Sequence, residues 1–163
     1  MNLFVDKRDN EKYRVKQIDN LYWFCENLRY RHPNGVYYMN DQRLHNKYGL
    51  LYPYYDSEII APEGWRVATY EDYVNLVTYT GNYTTWDGLF EKVIEGGILS
   101  LDFPFGGYYD GSFEWFNVVS YFRISDKINY AFQISRYNNL NQALISSSNY
   151  SGNLFYVRCV KEV

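Results

Sequence analysis

The sequence predicts an α+β domain, and three observations carry that prediction. Residues 62–76 read as a turn punctuated by Pro62 and Gly64, a short extended piece, and then a helix capped at Thr69. Ile128, Tyr130, Phe132 and Ile134 alternate with Asn129, Ala131, Gln133 and Ser135, the cleanest period-two pattern in the chain. Residues 154–160 form an apolar run expected to close the chain as a buried strand. A helix with one apolar stripe needs a sheet or second layer to cover it.

In chain order, residues 2–30 read as hairpin strands followed by a packed segment. Asp6-Lys7-Arg8-Asp9-Asn10-Glu11 is the polar turn, its acidic residues too irregularly spaced for a calcium loop. Tyr13, Val15 and Gln17, then Leu21-Tyr22-Trp23-Phe24, continue as strand. Glu26 and Asn27, set in apolar company, are expected to pin a turn through backbone hydrogen bonds rather than to catalyse. Residues 31–47 form a polar loop around Pro33-Asn34-Gly35. The loop holds both histidines, His32 and His45, without the close partners a metal site requires. In the central helix Asp72 supplies the acidic first turn, and Tyr70, Tyr73, Val74 and Val77 form a stripe with Leu76 beside it. Trp65 is assigned to the core. Residues 81–97 are loop-rich, with a short helix at 87–95. Gly107 and Gly111 are expected to permit tight turns between short strands. Residues 136–152 are polar, rich in Asn and Ser, and carry no strand assignment.

The totals exclude several classes of function. At 163 residues, 47% hydrophobic and 21% charged, the chain is read as one globular domain spanning 1–163. Aromatic content is 21%, dominated by 20 tyrosines, whose rigid amphipathic rings suit half-buried sheets and recognition surfaces alike. The net charge is −3 with Lys and Arg scattered, so no basic stripe points to nucleic acid. No run approaches the ~20 apolar residues of a membrane helix, and no basic segment followed by an apolar one after Met1 marks a signal peptide. Cys25 and Cys159 are expected to be reduced, buried thiols. No phosphate loop, zinc spacing, nucleophile elbow or Cys/His dyad is present. Asp110 and Glu114 read as a solvated hairpin end. The expectation is therefore no enzyme, no catalytic residue, no metal and no cofactor.

Residues 62–76 resemble the motif P-x-G-W-R-L-P-T-x-x-E-W-x-x-L of the Fibrobacter succinogenes major paralogous domain family. Pro62, Gly64, Trp65, Arg66, Thr69 and Leu76 stand in register, with Val67, Ala68 and Tyr73 at the Leu, Pro and Trp places. The resemblance continues through Val15, Trp23, Glu26, Asn27, Leu28 and Tyr30, through Tyr48-Gly49-Leu50-Leu51-Tyr52, through Gly107, Tyr108, Gly111 and Phe113, and through Tyr156-Val157-Arg158-Cys159-Val160. That family is similar to C-type-lectin-like folds, including the branch related to formylglycine-generating enzymes. The resemblance implies a C-type-lectin-like fold: a small twisted antiparallel sheet, one or two short helices and long loops. It also implies a last strand that returns beside the N-terminal one, and a first helix reduced to a turn or two, since residues 53–60 are short where the family usually continues into a helix. Ala61 stands at or beside the place of the family's first cysteine, so the family's bridge to Cys159 cannot form in that way. The lone Cys159 does not reproduce the active cysteine pair of the enzyme branch.

The leading expectation is a non-catalytic recognition module binding a glycan or protein receptor on a cell surface. Trp115, Tyr121, Arg123, Tyr137, Asn138, Asn139, Asn141 and Tyr150 offer flat apolar faces beside hydrogen-bonding groups and are the candidate ligand-binding residues. In related lectin-like variable proteins, retroelement diversification targets this C-terminal region. Arg158 is expected to make an ion pair at the core edge or to bind carbonyls. The alternative is a structural component of a virion or surface assembly. Only four alanines beside abundant Asn, Tyr, Ile and Lys suggest an AT-rich genome. With a family frequent in gut Bacteroidota, this points to a phage fibre, tail or decoration protein displayed on the virion surface or extracellularly. Its partners would be other proteins of that assembly, with a homo-oligomer left open.

Overall fold

The N-terminal alternation folds as a meander. In the computed structural model, which describes residues 2–80 and 88–163, β1 (Asn2–Val5), β2 (Lys12–Ile18) and β3 (Leu21–Phe24) pair antiparallel. Tyr13, Val15 and Phe24 are buried, and Tyr13 stacks on Phe24 with ring centroids 4.4 Å apart. Asn27 donates to Tyr48 O at 2.8 Å, and Glu26 accepts from the Arg14 backbone N–H at 2.9 Å, so both residues pin backbone as expected. The loop after residue 31 holds α1 (His45–Tyr48). Its two histidines are engaged separately. His45 Nε2 lies 2.8 Å from Glu11, and His32 Nδ1 lies 3.2 Å from Asp56. β4 (Tyr52–Pro53) leads into a single 3₁₀ turn, Tyr54–Asp56, the reduced helix foreseen there.

β5 (Arg66–Val67) and α2 (Tyr70–Tyr79) realise the central motif. Thr69 Oγ1 accepts from the Asp72 N–H, and the Asp72 carboxylate accepts from the Thr69 N–H, a complete capping box. Asp72 also receives the Arg66 guanidinium, which reaches on to Glu162 at 2.7 Å. Because Asp72 occupies an inward position, the buried stripe is Tyr73, Leu76 and Val77. Val74 is half-buried and Tyr70 is 36% exposed, edge-on to Tyr130. Trp65 packs against Phe24 at 4.5 Å and Phe4 at 5.1 Å, half-buried at the margin of the core rather than inside it. Of the helix expected at 87–95, Leu89–Val93 forms α3; Asp87, like the rest of 81–87, lies outside the described residues.

The second half is β-rich. β6 (Tyr108–Tyr109) and β7 (Phe113–Glu114) make a short hairpin turned at Gly111 (φ 113°). Gly107 enters it at φ 73°, where a Cβ would meet Glu114 O at 2.4 Å. β8 (Val119–Arg123), β9 (Tyr130–Tyr137) and β10 (Leu140–Ser147) form a separate sheet in the order β10-β9-β8. The strand β10 corrects the reading of 136–152, which assigned no strand there. Tyr137 pairs with Leu140 across the two-residue turn Asn138-Asn139, whose φ values are 51° and 61°. Positive φ at both central residues is the hairpin turn that matches strand twist, and Asn tolerates it.

The C-terminal run is not one strand. β11 (Leu154–Phe155) inserts between β4 and β6, giving the order β4-β11-β6-β7. After a break at 156–158, β12 (Cys159–Glu162) inserts between β3 and β5, giving the order β1-β2-β3-β12-β5. The last strand thus returns to the N-terminal sheet, next to β3 rather than to β1. At the break Tyr156 joins the larger core, built around Trp23, Tyr73, Phe103, Phe122 and Phe132, while Val157 joins the smaller one around Tyr13 and Phe24. Arg158 is fully buried between them and binds carbonyls. It donates to Leu101 O (2.6 Å), Phe24 O (3.0 Å) and Asp102 O (3.1 Å), and to Asn27 Oδ1 (2.8 Å).

Cys25 and Cys159 are both buried and unbridged. Burial raises both thiols' pKa, keeping them protonated and unreactive. A native bridge in a small domain contributes roughly 2–5 kcal/mol. The melting temperature is therefore expected to stay constant when reductant is added, with both thiols alkylated after denaturation. A substantial fall in melting temperature with reductant would refute this.

Candidate functional site

Strand pleating divides the β8-β9-β10 sheet into two faces. Phe122, Phe132, Ile134 and Ala143 point to the core. The register Val119↔Ser135↔Gln142 and Tyr121↔Gln133 sets those residues together on the other face, with Tyr137 and Leu140 beside the hairpin turn. The β6-β7 hairpin and the turn after it rise along the edge of this face. Between them lies a groove of about 370 Å3. Tyr108, Trp115, Tyr121 and Tyr137 wall it; Val119, Gln133, Ser135, Leu140 and Gln142 make the rest of its lining.

The walls are braced by ring contacts. Tyr108 meets Tyr121 edge-to-face at 4.6 Å, and Trp115 meets Tyr137 edge-to-face at 5.1 Å. Such pairs contribute about 0.5–1.5 kcal/mol each beyond their burial. Tyr121 is held from behind by Phe155 (5.1 Å, stacked) and Tyr150 (5.6 Å). Gly107 lets the chain enter β6 in contact with β7, which fixes where Tyr108 stands. Trp115 is 44% exposed on a left-handed backbone, φ 57°, its carbonyl accepting from the N–H groups of Val118 and Val119. A bulky side chain at such φ is uncommon and costs of order 1–3 kcal/mol.

The electrostatics are simple. The lining holds no Asp, Glu, Lys, Arg or His. Burial, then the carboxylates of Asp110 and Glu114, raise the Tyr108 pKa. Burial, then the neighbouring tyrosines, raise that of Tyr121. Both phenols stay protonated. Ser112 donates to Glu114 at 2.6 Å at the exposed end of the hairpin, as the reading of Asp110 and Glu114 anticipated.

Of the eight candidate binding residues, Trp115, Tyr121 and Tyr137 meet in this groove. Tyr150 lies behind it, 9% exposed, its hydroxyl 3.0 Å from Ser146 Oγ. Arg123 is a correction: it is fully buried beneath Phe155. The loop before β11 passes over it and accepts its Nη2 at Asn153 O, 2.7 Å away, so no surface ligand can reach it. Burial pushes its pKa down to about 9, still charged at neutral pH, and its Nε and Nη1 have no hydrogen-bond partner among the described residues. Asn138 and Asn139 are exposed at the tip of the hairpin and owe their identity to its turn. Asn141 lies outside the groove. The same pleat puts it on the opposite face from the groove, where its amide lies 3.4 Å from Glu91. Tyr108, Gln133 and Gln142 also line the groove and are not among the eight. The period-two alternation already set Gln133 on the wet face of its strand, but Gln142 needed β10 to be recognised.

Among the described residues, no group of three or more His, Cys, Asp or Glu is placed to hold a metal ion. No helix among them is long and apolar enough to cross a membrane. Fold and groove together define an α+β domain of small antiparallel sheets that offers an uncharged, aromatic-walled groove on one sheet face. The chain belongs to the Fibrobacter succinogenes major domain family, whose model matches residues 16–161. No curated protein and no solved structure matches it.

Proposed function

We propose that this protein is a non-catalytic recognition module that binds a glycan or protein on a cell surface through the groove walled by Trp115, Tyr121 and Tyr137. In this reading the scaffold is C-type-lectin-like, and the module is displayed at the surface of a phage particle, as a fibre, tail or decoration protein. The observation that carries the reading is Trp115. A half-exposed indole on a left-handed backbone is maintained against local strain, and strain of that kind concentrates at ligand sites. A groove volume of about 370 Å3 falls within the ~300–1,000 Å3 typical of small-ligand pockets.

Trp115→Gly separates function from folding. Glycine is at ease at φ 57°, so relief of strain offsets the lost ring contact and stability should change by less than about 1 kcal/mol. Attachment of the labelled protein to intact gut Bacteroidota cells should fall at least about tenfold, the worth of one aromatic platform in a binding site. Unchanged attachment by a folded Trp115→Gly variant would end this reading.

A second reading, a structural assembly component without a ligand of its own, draws on β1. That strand is paired only with β2 among the described residues, and it exposes Leu3 (61%) and Val5 (41%) at the sheet edge. Such an edge can accept a strand from another chain. Stoichiometric presence in purified particles, without attachment to cells, would favour it.

A further inference from the structure

We infer that the groove takes an uncharged saccharide, one or two sugar rings long, without a bound cation. This rests on the recognition reading above and adds to it the chemical class of the ligand. The inference begins with unspent hydrogen-bonding capacity. The side-chain amides of Gln133 and Gln142 face the groove and bond to no described residue, although neither is fully exposed. The Ser135 oxygen accepts from the Tyr137 N–H at 3.3 Å, which leaves its own O–H to give. An amide both donates and accepts, and so does a hydroxyl. That set complements neighbouring hydroxyls on a ring, each of which also gives one bond and takes others.

The walls supply the second half of the match. Trp115 and Tyr137 stand perpendicular to each other, as do Tyr108 and Tyr121, so the groove offers both flat faces and ring edges. The C–H faces of a pyranose can lie on such surfaces while its hydroxyls turn to the amides. A concavity of about 370 Å3 is of small-ligand size, whereas a protein epitope covers about 800 Å2 per partner and would have to draw most of its contacts from outside the groove.

Charge sets the selectivity. The lining holds no Lys, Arg or His to meet a carboxylate. The carboxylates that help raise the pKa of its wall tyrosines are Asp110 and Glu114 at Tyr108, and Asp110 at Tyr121, so the field there is negative. The guanidinium of Arg136 is turned away, donating to Asn117 O at 2.7 Å and lying over Phe105. An anionic sugar would be desolvated with no counter-charge, and against a negative field. The lining likewise offers no carboxylate, so a calcium ion would find only neutral oxygens there, with no charge to hold it.

The test is a panel of neutral oligosaccharides built from hexoses and N-acetylhexosamines, beside the same cores capped with sialic or glucuronic acid. Binding is read in buffer containing EDTA, then with calcium added. At least one neutral oligosaccharide should bind equally in both buffers and shift the side-chain amide NMR signals of Gln133 and Gln142. Acidic capping should weaken it by about tenfold or more. Gln142→Glu should weaken the neutral ligand similarly, with the melting temperature unchanged. Acid-capped glycans binding as tightly, a requirement for calcium, or no binding anywhere on the panel would each overturn the inference. If the panel is silent while Trp115→Gly still abolishes cell attachment, the saccharide class is wrong and recognition by the groove stands. If Trp115→Gly leaves attachment intact, recognition by the groove has failed as well.

Discussion

Replacing Arg158 by leucine should bring the protein close to unfolding. Its guanidinium sits between the two cores and satisfies Leu101 O, Phe24 O, Asp102 O and Asn27 Oδ1 at once. Its plane lies over Phe103, 4.0 Å from the ring centroid. Burial pushes its pKa down to about 10, which leaves it charged at neutral pH. Leucine would fill part of the volume but leave three buried acceptors and the partly buried Asp102 O unpaired, each costing about 1–3 kcal/mol if water cannot reach it. Allowing for relaxation, the expected loss is about 3–5 kcal/mol, against a whole-domain margin of ~5–15 kcal/mol. Arg158→Lys should recover only part of it, because an ammonium lacks the planar fork that spans these acceptors. Urea unfolding of both variants measures the loss. A leucine variant within about 1 kcal/mol of the parent would mean that water satisfies those carbonyls and that the arginine is not structural.

The second large effect is expected at Trp65. Its ring caps the smaller core against Phe24 and Phe4. An enclosed indole lost to alanine costs about 3–5 kcal/mol. Part of this ring is already in water, so Trp65→Ala should cost about 2–4 kcal/mol. Binding by whatever fraction remains folded should be unaltered, since the groove lies on a different sheet. A fully stable variant that no longer attaches to cells would show that Trp65, rather than Trp115, faces the ligand.

These two positions show what could be read in advance. Trp65, Arg66 and the capping box at Thr69 and Asp72 are local features, and local chemistry is legible: a cap residue needs only its neighbours to act. Arg158 was legible in kind, since an arginine inside an apolar run must find acceptors, but not in partner. All four acceptors come from distant parts of the chain. The apolar run around it reads as one strand because periodicity records burial and not which sheet does the burying; the structure splits it into β11 and β12. Arg123 misleads for a related reason. It ends a strand where a charged residue would normally meet water, and only the tertiary path of residues 153–155 closes over it. The asparagines of 138–139 signalled a hairpin turn by type, yet their polarity also resembles a binding loop. The groove walls were partly legible because Trp115 and Tyr137 stand out in polar surroundings. Tyr108 joins them only through the placement of one hairpin beside another sheet.

The insertion of β11 and β12 into the interior of two sheets has a consequence for biosynthesis. Until residues 154–162 leave the ribosome, β3 keeps one bare edge, β5 has no neighbour in its sheet, and β4 and β6 stand apart. At ~5–20 residues per second, the preceding stretch spends on the order of ten seconds in that condition. Its tyrosine-rich strands are then open to any other nascent chain. Folding of this protein is therefore posed as a late, chain-wide closure, and what a chaperone meets is the waiting edges of β3 and β4.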